Sequence, residues 1–505
     1  MILKNFKLEV EKTGICILSI DTENSEINTV NTSVINEFEY VVNKLTNDED
    51  IKGVIINSLK KDFHFGYNLK ELLKIKDKET LFNIIIKQNK ILRTLESSGK
   101  KVVSILKGKT FSGGLEIALS SHYRVAADDP ETLFAIKDLN FGLCMGMGGS
   151  QRLPRLIGIN QTIDLIINRK SLTAPEALKI KIVNEIVAKN QLMKRAKEII
   201  LDDSTFVQPW DDKNNKDSKL KPFDEKNFGF FIGTISKTHS ITKNHYPGVK
   251  TFMSCLFEGL NSNIDSGTKI ESRNFVWLLN HQETKAMIKT LVINKPRKNL
   301  LNSSIKELAN ILRKNYAAEG IRLLLQGVSP AIIENAGKRI GCYEGPLATA
   351  DTIEIKNIIN QLDFSDANVT AFIGLMEQKN RKGKSLGAGF YDYKNTVRIK
   401  IWKGLEELVA LSKTQPEVFK IETRLLFILV NKFSREADNY MKNNKIEEQD
   451  YFSIKKCNFP AWTGGPYSWI KNYGIEKFIE ESNDFAENLG PRFIPSKKIL
   501  TLVKN

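Results

Sequence analysis

The sequence predicts two kinds of fold in one chain, an α/β unit over residues 1–207 and an all-α half over residues 297–505. The first prediction rests on short apolar, β-branched runs that alternate with amphipathic helical segments. The second rests on segments whose apolar residues recur almost entirely with the helical period. Residues 208–296 are predicted to connect the two parts. A chain of 505 residues is long enough for two to four such domains.

Three short strands are predicted in the α/β unit: ICILSID (15–21), GVIINS (53–58) and KVVSILKG (101–108). An amphipathic helix lies between the first two, and Asn31 or Thr32 can cap its start. A second helix, LFNIIIKQNKILRTLESSG, leads into the third strand. Strands that alternate with helices in this way indicate a layered or spiral α/β fold.

The polar, proline-containing segment 208–228 lacks apolar periodicity, and we predict a linker there. Long amphipathic helices follow it at 270–293 and 305–327.

A weak internal repeat marks the helical half, because YAAEGIRLLLQGVS…GCYEGPL (316–347) is echoed by RLLFILVNKFSREA…NFPAWTGGPY (424–467). In each copy a long helix is followed by a Gly-Pro corner. We interpret the copies as two related modules, 297–400 and 401–505. The alternative is a coincidence between two amphipathic helices.

Composition excludes several classes of protein. The net charge is +16, but the lysines are spread along the chain without an aromatic-interleaved basic stripe, so we expect no nucleic-acid partner. A local basic patch for a phosphorylated small ligand stays open. No apolar run approaches the roughly 20 residues of a membrane span, and charges from Lys4 onward argue against a signal peptide. The five cysteines form no CxxC pair, so we expect reduced thiols, a cytoplasmic location and no zinc cluster.

The stretch 111–158 is rich in glycine and carries isolated acids. A dinucleotide-binding fingerprint would explain the glycines, but GMGGSQ (146–151) and GAGFYD (387–392) both lack its last glycine. In KGKTFSGGLEIALS, a strand end leads through two glycines into a helix with Glu116 in its first turn. Free N–H groups at such a helix start stabilise a developing negative oxygen, and a nearby carboxylate can act as acid or base. The simpler alternative is charge–dipole stabilisation of the helix by Glu116.

A second strand end, KKDFHFGYNLKEL (60–72), places Gly66 before another helix start. It could supply a second backbone donor, and two donors from separate loops are what an oxyanion hole for a thioester enolate requires. A plain β-to-α turn is the alternative.

These segments together resemble the enoyl-CoA hydratase/isomerase (crotonase) superfamily. The similarity runs almost without gaps from residue 6 to about residue 187, through DIKGVIINSLKKDFHFGYNLKEL, SGGLEIALSSHYRVAADDP, GGSQRLPRLIG and LTAPEALKIKIVNEIV. QPWDD, HYPGVKTFMSCLFEGL and IESRNFVWLLNHQETKAMIKTL resemble the multifunctional β-oxidation α-subunit type, which also carries 3-hydroxyacyl-CoA dehydrogenase. EGIRLLLQGVSPAIIENAGKRIGCYEGPL and KGKSLGAGFYDYK resemble the helical C-terminal domains of that dehydrogenase. The resemblance implies that the α/β unit is a crotonase-type ββα spiral.

The resemblance also implies a site. It places the oxyanion-hole N–H groups on Tyr67 and Gly113, the first catalytic carboxylate on Glu116 and the second on Asp138. In such hydratases one carboxylate activates a water toward C3 of the enoyl thioester, and the other handles the proton at C2. Coenzyme A is expected against four residues, which are Phe65, Asn68, Leu69 and Lys70. Neither a metal nor a nicotinamide cofactor is expected.

Three positions depart from the family pattern. Lys137-Asp138 stands where the family usually has Pro-Glu, and Lys137 either holds Asp138 ionised or points to solvent. Met145 stands where the family commonly has Pro. Tyr67 replaces a small residue, so its ring is expected to narrow or re-aim the site.

The largest departure is a missing domain. The family has a dinucleotide-binding domain between the linker helix and the first helical module, but here only MIKTLVINKPRKNLLNSSIKELANILRK joins them. No glycine fingerprint is present, and no histidine follows His281. We therefore expect no dehydrogenase activity and no NAD, and we interpret the helical half as a scaffold or a surface for a thiolase-like or dehydrogenase subunit.

The sequence thus favours an acyl-CoA lyase or isomerase that hydrates a trans-2-enoyl-CoA in fatty-acid β-oxidation. One alternative is another reaction through a thioester enolate, such as hydrolysis or decarboxylation. The other is a non-catalytic protein that binds acyl-CoA or a thiolase-like subunit.

Overall fold

The computed structural model describes residues 2–204, 206–213, 222, 224–296, 303–361 and 366–502. It forms two compact units, residues 1–285 and 286–505. The division between these units lies within residues 208–296, the segment predicted to connect the two parts. Residues 214–221 and 223 of the linker predicted at 208–228 lie outside the described residues, and its last four residues, 225–228, begin α9.

The described residues of the first unit form nine strands: β1 Phe6–Val10, β2 Ile15–Ile20, β3 Gly53–Ser58, β4 Lys101–Leu106, β5 Lys109–Phe111, β6 Tyr123–Ala127, β7 Leu133–Ala135, β8 Leu172–Thr173 and β9 Glu185–Val187. Six of them form a mixed sheet in the order β1-β2-β3-β4-β6-β9. Only β1 is antiparallel to its neighbour, and the other pairs are parallel. The three strands predicted from sequence are β2, β3 and β4.

Its helices are α1 Thr32–Asn47, α2 Leu69–Leu72, α3 Lys78–Glu96, α4 Gly113–Leu119, α5 Gly149–Ile157, α6 Ile159–Asn168, α7 Ala174–Lys179, α8 Leu192–Leu201, α9 Glu225–Thr242, α10 Pro247–Gly259 and α11 Ile264–Asn280. Asn31 caps α1, since its side chain accepts a hydrogen bond from the Val34 N–H. The single helix predicted at 270–293 is interrupted, because His281 has extended backbone (φ −71°, ψ 137°) and α12 (Gln282–Ile288) begins after it.

The central strands of the large sheet have almost continuously apolar sequences because they are buried in the core. All six residues of β2 are buried, because both faces of the sheet are covered. On one face, apolar side chains of the parallel strands pack against α8, through residues that include Ile55, Val103, Val125, Ala196 and Ile199. This sheet fixes the strand ends from which the site loops start.

A second, smaller sheet lies beside the first in the order β5-β7-β8. Strands β5 and β7 are parallel, and Phe111 is opposite Ala135 in their register. Parallel strands end at the same edge of a sheet, so the segments that follow β5 and β7 leave it side by side. Those segments carry Glu116 and Asp138.

The second unit is mostly helical, as predicted. Its helices are α13 Ser303–Leu325, α14 Pro330–Arg339, α15 Pro346–Thr352, α16 Ala367–Gln378, α17 Leu405–Leu408, α18 Val418–Met441, α19 Ile446–Cys457, α20 Pro466–Tyr473, α21 Ile475–Leu489 and α22 Lys497–Thr501. It departs from an all-α fold in one antiparallel hairpin, β10 (Tyr391–Lys394) and β11 (Val397–Ile401).

The repeat seen in the sequence has a structural counterpart. A long helix, a shorter helix and a Pro-initiated helix follow one another twice, as α13-α14-α15 and α18-α19-α20. In the first copy Glu334 accepts hydrogen bonds from the first amides of α15, at 2.7 Å from Leu347 N. In the second copy Asp450 does the same for α20, at 2.9 Å from Tyr467 N. A buried acid at the same place in both copies satisfies the free N–H groups of the short helix.

Candidate functional site

Three chain segments run side by side at the end of the small sheet. His64 forms a parallel bridge with Thr110, and the Phe111 N–H donates to the His64 carbonyl at 3.0 Å. On the other side of β5, the Ser112 N–H donates to the Ala135 carbonyl at 2.7 Å. The chain therefore brings together the segments that follow His64, Phe111 and Ala135, which contain all four residues predicted to act in chemistry.

The two predicted backbone donors are adjacent. A Cβ on Gly66 would lie 2.7 Å from the Gly113 nitrogen, which only a glycine permits. Within the described ranges, the N–H groups of Tyr67 and Gly113 donate no hydrogen bond. Gly113 is the first residue of α4, where N–H groups lack a partner inside the helix. Two unpaired N–H groups thus lie on separate loops that are in close contact.

His64 holds the first of these loops in place. Its Nδ1 accepts a hydrogen bond from the Gly66 N–H at 2.9 Å, one residue before Tyr67. Burial lowers the pKa of His64 to about 3. The imidazole is therefore neutral at physiological pH, which leaves Nδ1 able to accept.

Glu116 is buried in the first turn of α4 and is held by the loop before α5. Its Oε1 accepts hydrogen bonds from the Met147 and Gly149 N–H groups, both at 2.8 Å. Its Oε2 accepts a longer bond from the Gly146 N–H, at 3.4 Å. Oε1 is saturated by two donors, so Oε2 is the oxygen with capacity for a substrate or a water.

Asp138 begins a 3₁₀ helix, Asp138–Phe141, three residues after β7. Burial raises the pKa of Asp138 to about 6, although hydrogen bonds from the Ser112 hydroxyl and its own N–H favour the ionised form. Ser112 also accepts a hydrogen bond from the Lys137 N–H at 3.2 Å. Ser112 has φ 54° and ψ −126°, a conformation that is strained for a residue with a side chain. Its hydroxyl thus links the Glu116 helix start to Asp138.

A third carboxylate, Glu271 of α11, lies in the same site and was not predicted from the sequence. It is fully buried, and it accepts hydrogen bonds from the Gly148 N–H at 2.6 Å and the Ser150 N–H at 2.8 Å. A signal exists in the sequence: Glu271, Phe275 and Leu279 recur on one buried helix face, where a charged residue is unusual.

The charges of the other two acids act on Glu116. Burial raises the pKa of Glu116 well above its usual range, and the charges of Glu271 and Asp138 raise it further. Burial and the same three carboxylates also raise the pKa of Tyr67. A site with paired carboxylates whose pKa values are raised to different extents can hold one acid protonated and another ionised.

The ring of Tyr67 lies inside this site. It packs on Phe275 with ring centroids 5.4 Å apart, and its hydroxyl donates to the Gly146 carbonyl at 3.4 Å. The Met147 side chain lies close to the second donor, since a Cβ on Gly113 would lie 2.7 Å from its terminal methyl carbon. The large residue at position 67 therefore occupies space beside the acids while its N–H stays unpaired.

The predicted coenzyme A residues are distributed over two environments. Lys70 is exposed, and Phe65 is half-buried with its ring edge-on to Phe111 at 5.7 Å. Leu69 is buried, so its side chain belongs to the core. The Asn68 side chain caps α2 by accepting from the Glu71 N–H at 3.3 Å. Lys70 and Phe65 are thus the side chains of this set that are open to a ligand.

Lys137 does not form an ion pair with Asp138 in the described structure. Its ammonium group donates to the Ser171 hydroxyl at 2.8 Å and lies over the Phe111 ring, 5.2 Å from the centroid. Met145, the other departure from the family pattern, is buried, and its sulfur would meet a Cβ on Gly149 at 2.7 Å.

The described residues contain no group of three or more His, Cys, Asp or Glu side chains arranged to hold a metal ion. All five cysteines are free thiols. In the part of the chain that the structure describes, no helix combines the length and the apolar character needed to cross a bilayer.

The fold and the site therefore define a class of protein: an α/β unit with two unpaired backbone donors beside buried carboxylates. The sequence model of the Enoyl-CoA hydratase/isomerase family matches residues 11–202. This part of the chain thus matches the enoyl-CoA hydratase/isomerase (crotonase) superfamily, a family of lyase- and isomerase-type enzymes.

Curated relatives agree with this family. The chain is 28% identical over 297 residues to the fatty acid oxidation complex subunit alpha of Shewanella frigidimarina, and 30% identical over 293 residues to that of Vibrio parahaemolyticus. Each match covers 56% of this chain and 40% of the relative. The chain thus spans well under half the length of the curated relatives it matches.

Solved structures with similarity to the chain include two enoyl-CoA hydratases. That of Bacillus anthracis has 17% identity and a TM-score of 0.37, and covers 57% of this chain and 95% of its own. That of Bacillus halodurans has 19% identity and a TM-score of 0.37, and covers 54% of this chain and 98% of its own.

Proposed function

We propose that the first unit catalyses the hydration of a trans-2-enoyl-CoA to a 3-hydroxyacyl-CoA, a step of fatty-acid β-oxidation, with double-bond isomerisation possible in the same site. The observation that carries this proposal is the pair of unpaired N–H groups, on Tyr67 and Gly113, beside Glu116 and Asp138. A thioester oxygen bound between these donors gains negative charge as water adds, and fixed donors stabilise that charge without reorganisation.

The reaction follows from the states of the two acids. Asp138, ionised above about pH 6, takes a proton from water while the water oxygen bonds to C3. The C2=C3 electrons move onto the thioester as an enolate held by the two N–H groups. Glu116, kept protonated by its raised pKa, gives its proton to C2 from Oε2. Transfer of the proton on Asp138 to Glu116 restores the site.

The sequence analysis left two alternatives to hydration. The first is another reaction of an acyl-CoA that uses the same backbone donors. Hydrolysis or decarboxylation of an acyl-CoA also passes through an oxyanion at the two N–H groups. The Asp138 carboxylate and the Tyr67 ring are the features that favour such a variant, since both depart from the hydratase pattern. The second alternative is that the chain binds acyl-CoA, or a thiolase-like or dehydrogenase subunit, without catalysing a reaction. We propose no metal and no NAD for any of them.

The test is turnover of crotonyl-CoA by the purified chain, followed by loss of the conjugated thioester absorbance. Glu116→Gln and Asp138→Asn should each lower kcat by at least about a hundredfold with little change in KM. Near-normal hydration by either variant would contradict its role. Asp138→Glu distinguishes a weakened hydratase, which gains activity, from a pocket built around Asp, which loses it.

Parallel assays separate the alternatives when hydration is absent. Release of free thiol from an acyl-CoA would indicate hydrolysis, and release of carbon dioxide from a carboxyacyl-CoA would indicate decarboxylation. Calorimetric binding of crotonyl-CoA without any turnover would support the non-catalytic function.

A further inference from the structure

The loop that holds Glu116 is bound by two carboxylates in alternation. Among its five consecutive N–H groups, those of residues 146, 147 and 149 donate to Glu116, and those of residues 148 and 150 donate to Glu271. The loop turns at Gly148, which has φ +86°, and enters α5 at Gly149. Glu116 from α4 and Glu271 from α11 therefore bind alternate amides of the same turn.

This arrangement tolerates little displacement. Gly148 has φ +86°, and a Cβ on Gly149 would lie 2.7 Å from the Cγ of Glu116. The loop is also anchored by neutral and cationic groups, since Asn89 donates to the Gly146 carbonyl at 3.1 Å and Arg152 to the Met147 carbonyl at 2.9 Å. A shift of Glu271 would move the amides on which Oε1 of Glu116 depends.

We propose that Glu271 is a positioning residue of this site, which fixes the loop that orients Glu116 and, through its negative charge, keeps the proton on Glu116. The inference rests on the proposed function only in naming Glu116 as the proton donor. It makes α11, outside the segment that matches the family model, a part of the reacting site.

The charges around the pair support this division of the proton. Burial raises the pKa of Glu271, but hydrogen bonds from Ser150 and Gly148 and the charge of Arg152 favour its ionised form. For Glu116, hydrogen bonds from the Met147 and Gly149 N–H groups also favour the ionised form, but burial and the charges of Glu271 and Asp138 outweigh them and raise its pKa well above its usual range. The pair therefore holds its proton on Glu116.

Several other titratable groups face the pair from the elements packed around it: Asp138, Tyr67, Arg152, Cys144 and Cys255. Burial raises the pKa of Cys144, so this thiol is neutral in the range tested. Arg152 is bound to the buried Glu96, with 2.8 Å between Nε and Oε2, so its charge is largely compensated. Glu271→Gln therefore removes the negative charge of Glu271 and leaves the charges of these other groups unchanged.

The experiment compares pH–rate profiles for crotonyl-CoA hydration by the wild-type chain, Glu271→Gln, Glu271→Asp and Asn89→Leu. In the wild type we expect the alkaline limb to report loss of the Glu116 proton. Glu271→Gln should move that limb down by about one pH unit or more and lower kcat at pH 8 about tenfold. Glu271→Asp keeps the negative charge, but its shorter side chain no longer reaches the Gly148 and Ser150 N–H groups. We therefore expect kcat to fall while the alkaline limb of the pH–rate profile stays in place.

Asn89→Leu is the matched control, because it removes a neutral anchor of the same loop and should not move the limb. An infrared pH titration measures the protonation of Glu116 without turnover. The carboxyl band of Glu116 is identified as the band that is missing in Glu116→Gln. Its midpoint should fall in Glu271→Gln and not in Asn89→Leu.

The outcomes are separable. If the wild type does not hydrate crotonyl-CoA, the proposed function fails, and the infrared midpoint still decides on Glu271. An unchanged midpoint in Glu271→Gln, or wild-type kcat in Glu271→Asp, would overturn the inference. If Glu271→Gln does not fold, the Glu271→Asp profile decides, because a limb displaced in the charge-preserving variant would also overturn it.

Discussion

Replacement of Gly113 by Ala is a direct test of the backbone donor pair. Gly113 lies in the first turn of α4 with φ outside the left-handed region, so an added methyl group introduces no backbone strain there. The methyl group acts only through what it would touch. It would lie 2.7 Å from the terminal carbon of Met147 and 2.9 Å from the Cα of Gly66.

The expected magnitude follows from those two contacts. The Met147 side chain can rotate away, but the Gly66 Cα belongs to the backbone that carries the Tyr67 N–H. Carbon atoms need about 3.5 Å, so the two segments must separate by roughly 0.6 Å. A donor serves an oxyanion only within about 2.7–3.1 Å, and loss of one donor costs about 10²–10³ in kcat. Because the segments relax in part, we expect Gly113→Ala to lower kcat by about 10- to 100-fold.

The assay is crotonyl-CoA hydration, with kcat and KM measured separately and folding checked by thermal unfolding. The oxyanion forms only in the transition state, so kcat should fall while KM changes little. Gly233→Ala is the control, since it lies within α9 and a Cβ there meets nothing within 4 Å. Wild-type kcat in a folded Gly113→Ala chain would refute the assignment of the donor pair.

Three further predictions concern coenzyme A, acid stability and NAD. Lys70→Ala should raise the KM for an acyl-CoA about fivefold at low salt and less at high salt, because one exposed phosphate contact contributes roughly 1 kcal/mol; an unchanged KM at low salt would place the phosphates elsewhere. The folded-state pKa of Asp138, about 6 against 3.8, means that the stability it contributes at low pH is lost as pH rises through about 6. Asp138→Asn should therefore raise the unfolding free energy at pH 7.5 by about 1–3 kcal/mol, with the gain vanishing near pH 4 in thermal melts; equal melting temperatures at pH 7.5 would contradict this. With 3-hydroxybutyryl-CoA and NAD, the chain should form no NADH and bind no NAD in calorimetry, because the sequence has no glycine fingerprint and no histidine after His281. Stoichiometric NAD binding with NADH formation would overturn that prediction.

The parts of the fold that could be predicted are those governed by local pattern. β3 was predicted at its observed bounds, because a buried parallel strand is a continuous apolar run with turn residues on both sides. The hairpin in the helical half was missed, although its turn at Asn395 and Thr396 has positive φ at both residues, 50° and 62°. Such a two-residue turn is usually signalled by Asn-Gly, and Asn-Thr does not carry that signal.

The site divides in the same way. Motifs at two strand ends indicated Glu116 and the loop at Gly66, and the resemblance to the crotonase family added Tyr67, Gly113 and Asp138. The structure brings the segments of these residues together. Their catalytic roles stay predictions. Glu271 could not be found by such a motif, because more than a hundred residues separate it from the loop that it binds. Only tertiary contact puts its carboxylate against those amides.

The glycines at positions 146, 148 and 149 help to offset the free energy that is lost when the carboxyl groups of Glu116 and Glu271 are buried. Burying a carboxyl group costs free energy, most of all when the group is ionised, unless hydrogen bonds replace those that it made to water. The N–H groups of residues 146–150 supply five such bonds to two carboxylates. The glycines let this backbone lie close to its neighbours, since a Cβ on Gly146 would meet the Phe275 ring at 2.7 Å and a Cβ on Gly149 would meet the Cγ of Glu116 at 2.7 Å. These glycines therefore accommodate the buried acids and not a phosphate. Because Glu271 and the Phe275 ring both come from α11, the site is complete only in a unit that includes that helix.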